Sequence, residues 1–219
     1  MTTPSPYPSL QYNAMHPAVK DLEVEAAVRQ AIDLRLGGLC VPPYWVKKAS
    51  RDAIPAGIAL GTAVGFPFGY QRTEAKVAEM ELAFADGAQE VELVINLSAL
   101  KSQRWNWIKA EIARFAKLVH DREKPLTVLT DAGLLSEAEL TRLCKDATDA
   151  GADYFKTATG VLSEDTDAST VAFIRQALHP SVGLKVYRSA PIAAEVAALR
   201  REGAEQVCAT DLSRLNEKE

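Results

Sequence analysis

The stretch Gly151-Ala152-Asp153-Tyr154-Phe155-Lys156-Thr157-Ala158-Thr159-Gly160 sets a lysine at the end of a short apolar strand. Gly151 closes a preceding helical pattern. Tyr154 and Lys156 share one parity of the strand and Phe155 has the other, so the aromatic ring can face a helix layer while Lys156 points inward. Taken alone, the stretch has a competing reading: a lysine that snorkels from a strand end to solvent. The surrounding chain decides between them.

The same junction, an amphipathic helix followed by glycine and a short strand, recurs as RLGGLCVPP, ADGAQEVELVI, DAGADYFKTA and REGAEQVCAT. Gly37, Gly87, Gly151 and Gly203 are the expected left-handed helix caps. The helices that feed these junctions keep a 3.6-residue apolar period, as in Leu140, Leu143, Cys144 and Ala147. Ser136 with Glu139 forms a capping box, and Pro191 reads as a first helical residue. Eight strands are expected, near residues 9–14, 38–43, 57–65, 90–96, 126–131, 153–157, 183–187 and 205–210. That count favours a closed α/β barrel, a single-domain (β/α)8 TIM barrel over residues 9–219, with residues 1–8 as a disordered or extended lead-in. An open doubly wound sheet is the competitor, but it usually carries a glycine-rich phosphate fingerprint after its first strand, and this chain has none. The tail after Thr210 leaves room for only a brief last helix.

The totals exclude several roles. A net charge of -4, with acids and bases interspersed, offers no basic stripe for nucleic acid. No apolar run approaches the roughly 20 residues that a membrane span needs, and the start has no secretory pattern, so a cytoplasmic protein is expected. Cys40, Cys144 and Cys208 sit in apolar segments and read as reduced core thiols. No metal cluster or nucleotide motif is present, so neither metal nor cofactor is expected. A homo-oligomer is compatible with the class, although no stretch marks an interface.

Barrels of this kind carry their chemistry at the carboxyl ends of the strands. Lys156 lies at such an end. On the fourth strand Glu92, Val94 and Asn96 share a face, and on the seventh Lys185 and Tyr187 do, so the interior receives two lysines and a carboxylate. A lysine attacks a carbonyl only as the neutral amine, and an unperturbed lysine is about 0.1% or less neutral at pH 7. Burial and the repulsion of a second ammonium, Lys185, would lower the value for Lys156. The resulting iminium draws electrons from the neighbouring carbon, and Glu92 can shuttle the proton. The structural alternative is a buried Lys–Glu pair that only satisfies itself.

From residue 38 to about 187 the chain resembles the deoxyribose-phosphate aldolase family, through LCVPPYWV, AVGFPFG, EVELVINLSALKS, TDAGLLSEAEL and GADYFKTATG in family order. The resemblance implies a class I aldolase with Lys156 as Schiff-base lysine, Lys185 as the second lysine and Glu92 as the proton relay, where the family usually has aspartate. It also implies Thr159, Gly160, Asn96, Asp131, Arg188 and Thr210 as substrate-binding positions, and a small aldehyde or deoxysugar, phosphorylated or not, as substrate. The chain departs from the family at Gln11-Tyr12-Asn13-Ala14-Met15, where the family reads like DHTLL, and at Asp131, where it tends to have glutamate. It also lacks the paired glycines of the phosphate loops, here Val186-Tyr187-Arg188-Ser189-Ala190-Pro191 and Cys208-Ala209-Thr210-Asp211-Leu212. Amides that approach an anion closely need glycine. Asp211 opposes a dianion, and Arg188 is expected either to contact phosphate or, preferably, to pair with Asp211. Three functions follow: an aldolase with altered phosphate recognition, cleavage of 2-deoxyribose 5-phosphate itself, or a non-catalytic barrel that binds or regulates.

Overall fold

The structure, a computed structural model, describes residues 7–162 and 165–217. The strands are β1 (Tyr7–Asn13), β2 (Leu36–Cys40), β3 (Ala59–Val64), β4 (Glu90–Val94), β5 (Leu126–Leu129), β6 (Tyr154–Lys156), β7 (Gly183–Arg188) and β8 (Gln206–Ala209). The helices are α1 (Asp21–Asp33), α2 (Val46–Ala53), α3 (Thr73–Ala85), α4 (Leu97–Lys101), α5 (Trp105–His120), α6 (Glu137–Asp149), α7 (Ala168–Ala177) and α8 (Ala193–Arg201). Each strand pairs in parallel with the next, and β8 returns to β1, closing the expected barrel. β1 starts at Tyr7, two residues before the expected strand; residues 1–6 of the expected lead-in lie outside the described residues.

Strand parity builds two layers. Leu39, Leu60, Leu93, Val128, Phe155 and Leu184 point outward into one continuous core with the apolar stripes of the helices, among them Val28, Met80, Phe115 and Leu143. Burying each such side chain contributes roughly 1.5–3 kcal/mol. The opposite parity faces the barrel axis, where Cys40, Ala63, Val94 and Leu129 form a small separate cluster with Met15.

Gly87, Gly151 and Gly203 take positive φ at the helix ends, as expected. Gly37 does not. It lies inside β2, where a Cβ would overlap the Pro8 carbonyl oxygen, and Arg35 makes the left-handed turn instead, at φ 51. The Ser136 box forms as expected: Ser136 Oγ accepts from Glu139 N, and Glu139 Oε2 accepts from Ser136 N at 2.8 Å. Pro191 is not helical. It precedes Ile192, the N-cap of α8, whose amide donates to Glu195 Oε2 at 3.0 Å. Among the described residues no helix follows β8; a run of turns there buries Leu212 and Leu215.

Candidate active site

Asn13, Lys156 and Arg188 are the last residues of β1, β6 and β7, so all three stand where the loops leave the barrel. Lys156 and Lys185 are register partners on adjacent strands, and both are at most 2% exposed. Each ammonium has its own carboxylate. Lys156 Nζ donates to Glu92 Oε2 at 2.7 Å and to Asn13 Oδ1 at 3.3 Å, while Lys185 Nζ donates to Glu90 Oε2 at 2.8 Å. Glu92 also lies between the lysines, its Oε1 4.0 Å from Lys185 Nζ and without a hydrogen-bond partner. Lys185 further sits 4.9 Å above the Tyr154 ring, a cation–π contact.

This geometry corrects the expected electrostatics. Burial pushes the Lys156 ammonium down, but the charge and hydrogen bond of Glu92 outweigh it, so the net direction is up. Lys185 also moves up, its burial outweighed by Glu90 and Glu92. Repulsion between the lysines therefore does not leave Lys156 neutral in the free protein, because each positive charge meets a closer negative one.

Glu90 escaped the sequence reading, although Glu90-Val91-Glu92 places it on the same parity as Glu92. It anchors a buried chain: Cys208 Sγ donates to Gln11 Oε1 at 3.0 Å, and Gln11 Nε2 donates to Glu90 Oε1 at 2.5 Å. Gln11 of the divergent first strand thus supports the lysine pair from below. Cys40, Cys144 and Cys208 are free and buried. Burial pushes the Cys208 thiol up to about 11 and the Cys40 thiol well above its ordinary value.

Above the lysines a cleft of about 460 Å³ opens at the ends of β1, β6 and β8, with Asn13, Thr159, Gly160 and Thr210 in its lining. Thr159 is held by Asp131, whose carboxylate accepts from Thr159 N at 3.1 Å and Oγ1 at 3.0 Å. Asn96 is more distant in role. β4 has already ended at Val94, so strand parity does not carry it inward, and its Oδ1 caps α4 by accepting from Ala99 N.

Arg188 does not pair with Asp211. Its Nη2 donates to Glu195 Oε1 at 2.7 Å and its Nε is 3.7 Å from Asp165 Oδ2. Asp211 instead accepts from Ser213 N and Oγ, which hold its carboxyl below the usual range. The loop amides are also engaged: Ser189 N donates to Asp165 Oδ1 at 2.5 Å, and Thr210 N and Asp211 N both donate to Ser189 O. Tyr187 is buried over Gly160, close enough that a Cβ there would come within 2.7 Å of its ring, and its hydroxyl lies 3.2 Å from Thr210 Oγ1. The residue types were legible for this plug, but its position was not.

A closed (β/α)8 barrel with lysines and carboxylates converging under an open mouth is an architecture for carbon–carbon lyases of the aldolase type. Comparison with known proteins agrees. The model of a family described as DeoC/LacD family aldolase matches residues 11–201. The deoxyribose-phosphate aldolase of Thermococcus kodakarensis is 35% identical over 71% of this chain and 70% of its own length, and that of Enterococcus faecalis is 31% identical over 89% and 90%. A solved structure described as QR15, an aldolase, superposes with a TM-score of 0.86 at 27% identity, covering 93% of this chain and 90% of that one. The chain belongs to the DeoC/LacD family of aldolases. It is therefore an aldolase-type lyase, and the non-catalytic barrel is set aside. Among the described residues no helix is long and apolar enough to cross a membrane.

Proposed function

We propose that the protein is a class I aldolase in which Lys156 forms a Schiff base with a small aldehyde or deoxysugar, and in which phosphate recognition is altered. The observation that carries this reading is the buried Lys156–Glu92 pair at 2.7 Å, next to Lys185 and joined through Asn13 to the open cleft. A carbonyl compound reaching the pair draws the Lys156 proton onto Glu92, and the free amine adds to the carbonyl carbon. Loss of water, assisted by the proton held on Glu92, gives the iminium. Glu92, a carboxylate again, then removes a proton from the adjacent carbon to form the enamine. The enamine carbon attacks an acceptor aldehyde, whose oxygen takes up a proton, and water releases the product from Lys156. Lys185 and Glu90 fix the field around this centre, and Thr159, Gly160 and Thr210 meet the substrate in the cleft. Asp131 holds Thr159 in place.

Altered phosphate recognition is supported by the carboxylate on the Ser189 amide and by Tyr187 over Gly160. Incubation with acetaldehyde and borohydride, followed by peptide mass analysis, is expected to leave a stable adduct on Lys156. No adduct on any lysine would refute the mechanism. The names of the relatives favour a second reading, cleavage of 2-deoxyribose 5-phosphate to acetaldehyde and glyceraldehyde 3-phosphate. Assays on phosphorylated and unphosphorylated deoxyribose separate the two, and a marked preference for the phosphorylated sugar selects the second.

A further inference from the structure

We infer that the cleft selects an uncharged acceptor aldehyde with an apolar chain, a conclusion that rests on the Schiff-base reading above. Three observations point there. The floor of the cleft is polar where the reacting oxygens would lie, with Asn13, Thr159 and Thr210, whereas Met15, Pro17, Val19, Phe66 and Val161 supply apolar walls. A volume of about 460 Å³ falls in the range of ligand sites, roughly 300–1,000 Å³, and exceeds what a three-carbon aldehyde fills when a water takes about 30 Å³.

The charge in and around the cleft is the second observation. Among the described residues no lysine or arginine lines it, and the titratable groups that do, besides Tyr12, are Glu23 and His16. Burial is the main cause that pushes the Tyr12 phenol up, and the negative charges of Asp211 and Glu23 add to it. The cations at the neighbouring loops are already engaged. Arg188 is held by Glu195 and Asp165, and Arg214 by Glu217 and the Ala190 carbonyl. An incoming phosphate would have to share either guanidinium with the carboxylate already paired to it, Arg188 Nε being a buried donor without a hydrogen bond, whereas an alkyl chain asks nothing of them.

The third observation is the plug. Tyr187 buries its ring against Gly160 and spends its hydroxyl on Thr210, so the side of the cleft beneath β7 and β8 is closed by an aromatic group. A chain leaving Lys156 is turned toward the apolar wall, past Met15 and Phe66 to α1.

The test uses the intact protein with acetaldehyde as donor and three acceptors: hexanal, glyceraldehyde and glyceraldehyde 3-phosphate. We expect kcat/KM for hexanal to exceed that for the phosphorylated acceptor by tenfold or more, with glyceraldehyde between them. Equal or better use of glyceraldehyde 3-phosphate overturns the inference while leaving a Lys156 adduct, and hence the Schiff-base reading, intact. A binding measurement decides the matter even where no adduct forms. Ligand-observed NMR should detect 1-hexanol on the wild-type protein, weakened at least fivefold by Val161→Asp, a substitution at a partly exposed site. Tighter binding of glycerol 3-phosphate than of 1-hexanol, or indifference to the substitution, counts against an apolar cleft.

Discussion

Replacing Lys156 by methionine removes one charge and keeps an unbranched side chain of similar reach. Glu92 then loses the 2.7 Å bond at Oε2, and the nearest remaining ammonium, Lys185, is bonded to Glu90 and stands 4.0 Å from Oε1. Two buried carboxylates are left to share one cation. The attraction of Lys185 is present before and after the change, so it offsets nothing. Removing one partner of a buried pair costs about 3–5 kcal/mol. The pH dependence follows from the direction of the Lys156 shift. Its folded-state value lies above the ordinary 10.5, so its contribution is complete below 10.5 and is lost only as pH rises through the higher folded value. The deficit of the variant should therefore stay flat between pH 7 and pH 9. Urea denaturation at both pH values, on the wild type, Lys156→Met, Glu92→Gln and the double variant, measures the loss and the coupling. In the Lys156→Met background, Glu92→Gln should restore stability, because it removes the orphaned charge. A deficit under about 1 kcal/mol, or a deficit that disappears by pH 9, would show that Lys156 is not held as an ammonium by Glu92.

Four further outcomes are expected. Glu92→Gln should still form the acetaldehyde adduct but lower kcat by about 10²–10⁴, as seen by comparing adduct mass with turnover. Tyr187→Ala uncovers Gly160 and leaves the Thr210 hydroxyl bonded to the Ser189 carbonyl, and the ratio of kcat/KM for phosphorylated over unphosphorylated deoxyribose should rise severalfold; an unchanged ratio removes the plug from the account of specificity. Cys40, Cys144 and Cys208 are buried, and all three thiols are pushed up by burial, so a thiol reagent at pH 8 should label them only after unfolding. Gly69 sits at φ 66 with the Ile95 carbonyl 2.6 Å from where a Cβ would lie, so Gly69→Ala should cost more than the roughly 1–2 kcal/mol of left-handed strain alone, measured by denaturation.

The barrel was legible because its signals are local and repeated. Three of the four glycine caps, the Ser136–Glu139 box and the inward parity of Lys156, Lys185 and Glu92 all depend on residues close in sequence. Gly37 misled because two adjacent glycines, Gly37 and Gly38, follow Arg35 and Leu36, and periodicity alone does not say which residue turns the chain. What the sequence could not supply was distance across the barrel. The Gln11–Glu90 bond joins residues 79 apart and the Lys185–Glu90 bond residues 95 apart, and only closure of the sheet brings them together. Arg188 is the opposite case. The two altered phosphate loops suggested Asp211 as its partner, whereas Glu195, only seven residues further on at the start of α8, accepts from it at 2.7 Å.

Closure also changes the logic by which the amine becomes reactive. Two lysines alone would repel, and a neutral amine would follow from burial. Two lysines with two glutamates make a buried group with no net charge, in which each ammonium is stabilised rather than strained. In the proposed cycle the proton leaving Lys156 goes to Glu92, so the buried net charge stays zero as the amine is freed. It remains zero when Glu92 returns that proton to the departing water and the iminium restores the positive charge. Lys185, 4.0 Å from Glu92 Oε1 and fixed by Glu90, keeps a cation beside the carboxylate throughout, which favours return of the proton over its retention on Glu92. The second lysine thus acts on the acid as much as on the first lysine, and the carboxylate between them is the group through which both charges are felt.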